Sequence, residues 1–309
     1  MSMLTSTTTQ QNQDMIMDEF RDEGGIDTAT STNESYDSAD FYTNDTTSGG
    51  IDSNTVLMIH ADEANGTAGT DIDDASDSDH TITANGHAAT SNANTKFDNN
   101  VAFDGDGDYL SLGDHADWDL AGDFTIELFM RVPDATPASD EYIWGQWESS
   151  TDRHDFKFDD AGNFGYVIRD SNNTTVNIAS TGGSLLTINT WQHVAFVRDG
   201  DNYYLYVDGT SQTISPSSDS DNPVALTGSV FIGARGDLTF PFTGNMDEIR
   251  VSDTARYPSG TTFTPPTAPY TAVGSTDDIT LISDTTVAES QPDQANIVML
   301  VENSTTTPT

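Results

Sequence analysis

The stretch TWQHVAFVRDGDNYYLYVDG, residues 190–209, permits little besides paired strands. Two runs rich in β-branched and aromatic residues are separated by Asp199-Gly200, and the second ends at Asp208-Gly209. An Asp-Gly pair between such runs is a strong hairpin signal, because both residues tolerate a positive φ. The middle of the chain repeats the pattern. In DFTIELFMRV (123–132), Phe124, Ile126, Leu128 and Met130 alternate on one face, which is the period of a strand. DFKFDDAGNFGYVIRD (155–170) reads as a hairpin: Phe156 and Phe158, a turn at 159–163, then Phe164, Tyr166 and Ile168. TVLMIH (55–60) suits a short strand buried on both sides, and NVAF, YLSL, GSVFIGARG and GNMDEIRVS supply further strands. About ten short strands, with regular turns and no amphipathic helix, predict an all-β sandwich or jelly roll.

Within GNMDEIRVS, strict alternation places Asp247 on the same face as Ile249 and Val251. A carboxylate on an apolar face needs a partner or takes up a proton. A backbone amide, an arginine and a metal ion are all candidates.

The strands occupy only part of the chain. Hydrophobic residues make up 34% of it, below the ~45–50% of ordinary globular chains. The first 50 residues are rich in Thr, Ser, Asn, Asp and Gly, with MIMDEF (15–20) as an isolated apolar cluster. Such a composition buries too little surface to offset chain entropy, so it predicts an extended arm that orders against a partner, or a plain tail. The predicted organisation is an arm (1–50), a β-sandwich domain (51–271) and a strand-forming tail (272–309). ARYPSGTTFTPPTAPY closes the sandwich and, with its prolines, runs along an edge or over the surface. DITLIS and NIVMLV in the tail read as a hairpin. A lone hairpin is marginal in water, so this one is expected to pair with a neighbouring subunit.

Charge excludes several partners. The formal net charge is −41, with 51 acidic residues, ten of them glutamate, against ten basic ones. Such a surface repels nucleic-acid phosphates and anionic lipid. Most of the aspartates read as a solvated surface suited to salty water. There are no cysteines, which removes disulfides, thiolate metal sites and cysteine nucleophiles. MSMLTSTTTQQNQ lacks the basic and apolar regions of a secretory signal, and no apolar run approaches the ~18 residues of a membrane span. A soluble protein made in a cytoplasm is expected, able to leave the cell as part of a particle.

VAFDGDGDYLSLGD, DFTIELFMRV, TWQHVAFVRDGDNYYLYVDG, GNMDEIRVSDTARY and FTPPTAPYT occur in this order. Together they resemble laminin G-like members of the concanavalin A-like lectin/glucanase superfamily, over about 215 residues. The resemblance implies a jelly roll of two antiparallel sheets. DTARYPSGTTFTPPTAPYT is similar to the version found in virion proteins of tailed bacteriophages, often marine, and the arm and tail also resemble segments of such proteins. What this implies is a virion protein exposed on the particle, on the capsid or on a head or tail fibre. The arm and tail would hold it to other virion proteins, in a trimer or another homo-oligomer, with weak contact to host glycans. A dedicated receptor-binding lectin is the alternative.

The superfamily's glucanases carry E-x-D-x-E on one strand, a spacing that retaining hydrolysis can use. This chain lacks it. Glu127 stands alone, Glu141 and Glu148 are too far apart, and the adjacent Asp247 and Glu248 are expected on opposite faces. G-x-S-x-G, H-E-x-x-H and a phosphate loop are also missing. A non-enzymatic role is therefore expected, and a glycan depolymerase is disfavoured. By resemblance, His193 occupies a structural position in the sandwich beside Trp191, a core residue.

A structural Ca2+ is the one cofactor the sequence offers a place for, alongside a backbone amide or an arginine as the partner of Asp247. The DGDGD loop (104–108) alternates carboxylates with glycines, the start of an oxygen-rich site, but lacks the later EF-hand positions. The superfamily often holds calcium with an aspartate opening the last long strand, a position matched by Asp247. Asp62 and Asp106 are the expected companions. For glycan binding, aromatic faces stack on sugars and polar groups read their hydroxyls. Trp144, Trp147, Arg169 and Arg235, with Arg153, are the candidates. The odd spacing of the two tryptophans puts them on opposite strand faces, so at most one belongs to the core. Trp118 reads as a loop anchor.

Overall fold

The computed structural model describes residues 34–36, 42–44, 50–169, 175–219 and 225–271. The tail expected as a hairpin, and most of the arm, lie outside the described residues. The chain forms two units. In the unit made from its two ends, β1 (Glu34–Tyr36) pairs antiparallel with β2 (Tyr42–Asn44).

The second unit, Thr46–Ser275, holds the remaining elements. The first of these are β3 (Thr55–Ile59), β4 (Ile82–Asn85), β5 (Ala89–Ser91), β6 (Asn100–Asp104) and β7 (Tyr109–Leu112). A short 3-10 turn, Ala116–Trp118, follows. Then come β8 (Phe124–Arg131), β9 (Glu141–Ser149), β10 (Asp152–Phe158), β11 (Phe164–Arg169) and β12 (Thr175–Ser180). The set ends with β13 (Gln192–Asp199), β14 (Asn202–Val207), β15 (Thr210–Gln212), β16 (Ile214–Ser215), β17 (Ser229–Ile232) and β18 (Thr243–Ser252).

These strands build two antiparallel sheets, a jelly-roll sandwich. The front sheet runs β16-β12-β11-β10-β9-β17-β7-β4. The back sheet runs β15-β14-β13-β8-β18-β6-β5, and β3 also pairs with β18. There are more strands than the periodicity predicts because edge strands of two to four residues are too short to show a period. The Asp-Gly turns form as expected: Asp208 and Gly209 have φ values of 48° and 69° between β14 and β15. At the 159–163 turn, the Asp159 carboxylate accepts from the amides of Ala161 and Asn163.

The main core lies between the sheets. From the back sheet it takes Phe124, Ile126, Leu128 and Met130, as the alternation predicts, together with Val194 and Phe196. The front sheet contributes Trp144, Phe156, Phe158, Phe164 and Tyr166. Tyr166 stacks on Phe196 at 4.4 Å across the sandwich. Trp118 is fully buried in this core, anchoring its turn, and its indole N–H donates to the Gly113 carbonyl at 3.0 Å.

The outer face of the back sheet is covered too. The closing segment 253–271 crosses it. Tyr257 stacks on Phe263 at 3.6 Å, and together they cover Ala195, Val197 and Tyr206. Tyr270 packs with Ile51 and Met58. Two expectations are corrected here. Trp191 is half-buried at the surface, where its indole N–H donates to the Asn94 carbonyl at 2.6 Å, and it takes no part in the core. His193 is fully buried but lies on the outer face of the back sheet, against Phe129 and Phe263.

Candidate functional site

Three polar regions stand out from the sandwich, and the first holds it together. Beneath the closing segment, Glu127 accepts hydrogen bonds from Arg250 Nε at 2.7 Å, Tyr257 OH at 2.8 Å and Tyr270 OH at 2.9 Å. His193 Nε2 lies 3.1 Å away. Arg250 also donates to the Gly50 carbonyl and lies 3.8 Å from the centre of the Tyr270 ring. Burial alone would raise the Glu127 carboxyl, but the Arg250 charge, with His193 and Tyr257, holds it well below the usual range. This acid is committed to structure.

The second region surrounds Asp247. Cross-strand partners share a sheet face. Asp247 lies opposite Phe129 and Arg250 opposite Glu127, so Asp247 faces outward with Arg250. Met246, Ile249 and Val251 face the core. The expected face is wrong because a β-bulge between Asp247 and Arg250 inserts a residue, with Glu248 at φ 52°. An extra residue shifts everything beyond it to the opposite face. Asp247 Oδ2 accepts from the Phe97 amide at 3.1 Å, while Oδ1 is buried with no hydrogen-bond partner among the described residues. Burial pushes this carboxyl up to about 7, and neighbouring Glu248 and Asp62 add to the rise. Glu248 is paired with His60 Nδ1 at 2.7 Å and accepts from the Tyr270 amide.

Asp62 lies near enough to add to this rise, and its carboxylate clusters with His60 and Glu248, their ligand atoms within 4.8 Å of one another, whereas Asp106 lies elsewhere. Asp104 pairs with Thr243, four residues before Asp247, which is ~13 Å along the ladder at ~3.3 Å per residue. Asp106 sits in the loop beyond it. Its neighbours Asp104 and Asp108 are engaged by His87 and by the loop's own amides. The loop borders a shallow groove of about 300 Å³ that also involves Arg131 and Asn245. The orphaned Oδ1 of Asp247 is a buried oxygen donor of the kind a hard cation seeks.

The third region lies on the outer face of the front sheet. The register sets Trp147 beside Arg153, and Arg153 beside Arg169. One step along, Gly145 lies opposite Asp155. A Cβ at Gly145 would crowd the Asp155 carboxylate, so the glycine makes room for it. Arg235 reaches in from the loop after β17. Its guanidinium lies 4.5 Å from the Phe240 ring centre, 5.4 Å from Trp147 and 5.6 Å from Tyr142, and its Nε donates to Asp237 at 2.9 Å. Arg153 lies 5.2 Å from the Trp147 ring centre on the same indole and pairs with Asp155. Burial raises the Asp155 carboxyl to about 7, against the pull of Arg153, Arg235, Lys157 and Arg169. Four of the chain's ten basic residues thus converge on one patch of a very acidic protein. Trp144 is not part of it: fully buried between the sheets, it is a core residue and not a ligand contact.

A profile of the Concanavalin A-like lectin/glucanases superfamily matches residues 104–259. The chain belongs to this family. No curated protein matches its sequence. Among solved structures, it is similar to the botulinum neurotoxin serotype D binding domain, with 10% identity and a TM-score of 0.51 over 65% of this chain and 49% of that one. The receptor binding domain of botulinum neurotoxin C/D mosaic serotype is similar at 11% identity and a TM-score of 0.51, over 65% and 48%. The chain spans about half the length of these structures, and at such identities the likeness concerns the fold.

Of the residues singled out in the sequence, Arg153, Arg169, Arg235 and Trp147 come together on this face, joined by Asp155 and Lys157, which are ordinary polar positions in an alternating strand. Sequence reasoning missed His60 and Glu248 beside Asp247, since only the bulge brings Glu248 to His60.

Proposed function

We propose that this chain is a non-enzymatic, lectin-like virion protein displayed on the particle surface, making weak contact with host glycans through the outer face of its front sheet. The observation that carries the reading is the convergence of Arg153, Arg169, Arg235 and Lys157 around Trp147 and Asp155 on an otherwise acidic molecule. Guanidinium groups bind hydroxyl and carboxylate oxygens in fixed geometry, and an aromatic face beside them suits a sugar ring. The toxin domains that share the fold are named as receptor-binding domains, which fits an attachment module. The resemblance of arm and tail to phage virion segments supports display through those ends, in a trimer or another homo-oligomer.

The positions of the perturbed acids support a non-catalytic role. Glu141, raised to about 7 by burial, pairs with the core residue Phe158, whereas Asp155 lies opposite Gly145 on the outer face. The two acids cannot flank one glycosidic bond, which a retaining or inverting mechanism requires. Glu127 is consumed by Arg250. Calcium belongs to the same proposal. Asp62 and Asp247 would hold it, and it would offset the negative charge gathered there.

The test is a glycan array probed with the full chain, first with calcium and then with chelator, alongside Arg235→Ala. Binding by the wild type that is lost in the variant supports the reading. Chelation that also lowers the melting temperature supports calcium at Asp247. A silent array under both conditions favours decoration or scaffolding of the particle. Binding unchanged by Arg235→Ala would move the glycan site off this face.

A further inference from the structure

At the opposite edge of the front sheet, three side chains of different chemistry converge. His80 lies two residues before β4, while His115 caps the turn after β7 and Asp117 lies within it. β4 and β7 are hydrogen-bonded neighbours, with Ile82 opposite Leu112, and this pairing brings the two loops together. His80 Nε2 lies 2.8 Å from Asp117 Oδ2, and His115 Nδ1 lies 3.2 Å from Asp117 Oδ1. The two imidazole rings meet edge to face, with centroids 4.7 Å apart.

We propose that His80, His115 and Asp117 form a binding site for a divalent transition-metal ion of the zinc class, with water in the fourth position. Each residue offers a ligand atom, and the three atoms lie within 4.8 Å of one another. A tetrahedral zinc ion with ligands at ~2.0–2.1 Å spaces its donors about 3.3 Å apart, so small side-chain rotations close the site. Two nitrogen donors and one carboxylate are one of the ligand sets that zinc uses when one position stays open. Imidazole nitrogen also separates this site from the calcium proposed at Asp62 and Asp247, because hard cations prefer oxygen. The clusters His60–Asp62–Glu248 and His87–Asp104–Asp108 offer a single imidazole each, and so compete poorly for zinc.

The surroundings hold the donors in place. The His80 ring packs 4.7 Å from that of Trp118, which is fully buried and tied to Gly113. Ser78 Oγ donates to Asp117 Oδ2 at 2.8 Å. Partners of this kind orient metal ligands, and losing one typically weakens affinity ~10–100-fold. His115 is 53% exposed, which leaves the fourth position open to solvent.

The test is calorimetric titration of zinc chloride into the full chain near neutral pH, with excess calcium present to fill oxygen sites. The expected result is one equivalent of zinc that His115→Ala weakens by ~100-fold or more, beyond what losing a group that merely orients a ligand costs, while His87→Ala leaves it in place. Cobalt bound at the same site should give the visible absorption of a tetrahedral nitrogen-containing site, and His115→Ala should abolish it. No zinc uptake by the wild type, or uptake and spectrum unchanged in His115→Ala, would overturn the proposal.

Discussion

At the scale of single residues, the molecule depends on where its buried charges find partners. Glu127 and Arg250 are both fully buried, 2.6 Å apart. Removing one member of such a pair leaves the other charged in a low dielectric and costs ~3–5 kcal/mol. That cost is a large part of a domain's total stability of ~5–15 kcal/mol, so Glu127→Gln is expected to lower the urea midpoint strongly. An unchanged midpoint would mean that the two tyrosines and the histidine, not the charge, hold this site. The sequence marks Glu127 plainly as a lone acid in an apolar strand. It marks Asp247 just as plainly but on the wrong face, because counting alternate positions cannot detect an inserted residue. The bulge at Glu248 is a backbone event in the ladder with β8, next to the stretch where β18 also pairs with β3. The tryptophans of β9 show the converse. Their odd spacing separates them, and Trp144 faces the core while Trp147 faces outward beside Arg153.

At the scale of elements, the strands and Asp-Gly turns are legible because they are local, whereas the path of the closing segment is not. ARYPSGTTFTPPTAPY has no period, so its prolines indicate only that it is no central strand. What places it are long-range contacts: Tyr257 OH and Tyr270 OH on Glu127, and the Phe263 amide donating to the Gly209 carbonyl at 3.0 Å. Gly209 is the point where turn and segment touch. Its φ is 69°, and a methyl group there would run into the Phe263 carbonyl. Gly209→Ala is expected to push the segment off the sheet near Phe263. Limited proteolysis should then cut within 258–265, at positions protected in the wild type. If cleavage stays as slow as in the wild type, the segment is held by its tyrosines alone.

At the scale of the whole molecule, burial and net charge act in the same direction with pH. Burial raises Glu141, Asp155 and Asp247 to about 7. The native state therefore keeps protons that the unfolded chain releases from about pH 4 upward. Stability is therefore expected to fall as pH rises from about 4 to 7 and to level off above. Glu127 works in the opposite sense. Its native value is depressed, so its contribution is complete above the ordinary carboxyl range and is lost as pH falls through that range and below. Together they place the stability maximum on the acid side of neutrality, near pH 5. Self-repulsion at a net charge of −41 adds to the decline at higher pH, but ~1 M salt shortens the Debye length to ~3 Å and removes most of it. The measurement is the urea midpoint at about pH 5 and about pH 8, in high salt with chelator present so that no cation holds Asp247 ionised. The midpoint should be higher at the acid value, and Asp155→Asn should narrow the gap, because the amide takes up no charge as pH rises. A midpoint that climbs from pH 5 to pH 8 in high salt would mean that these three carboxyls ionise in the folded protein as they do in the unfolded chain.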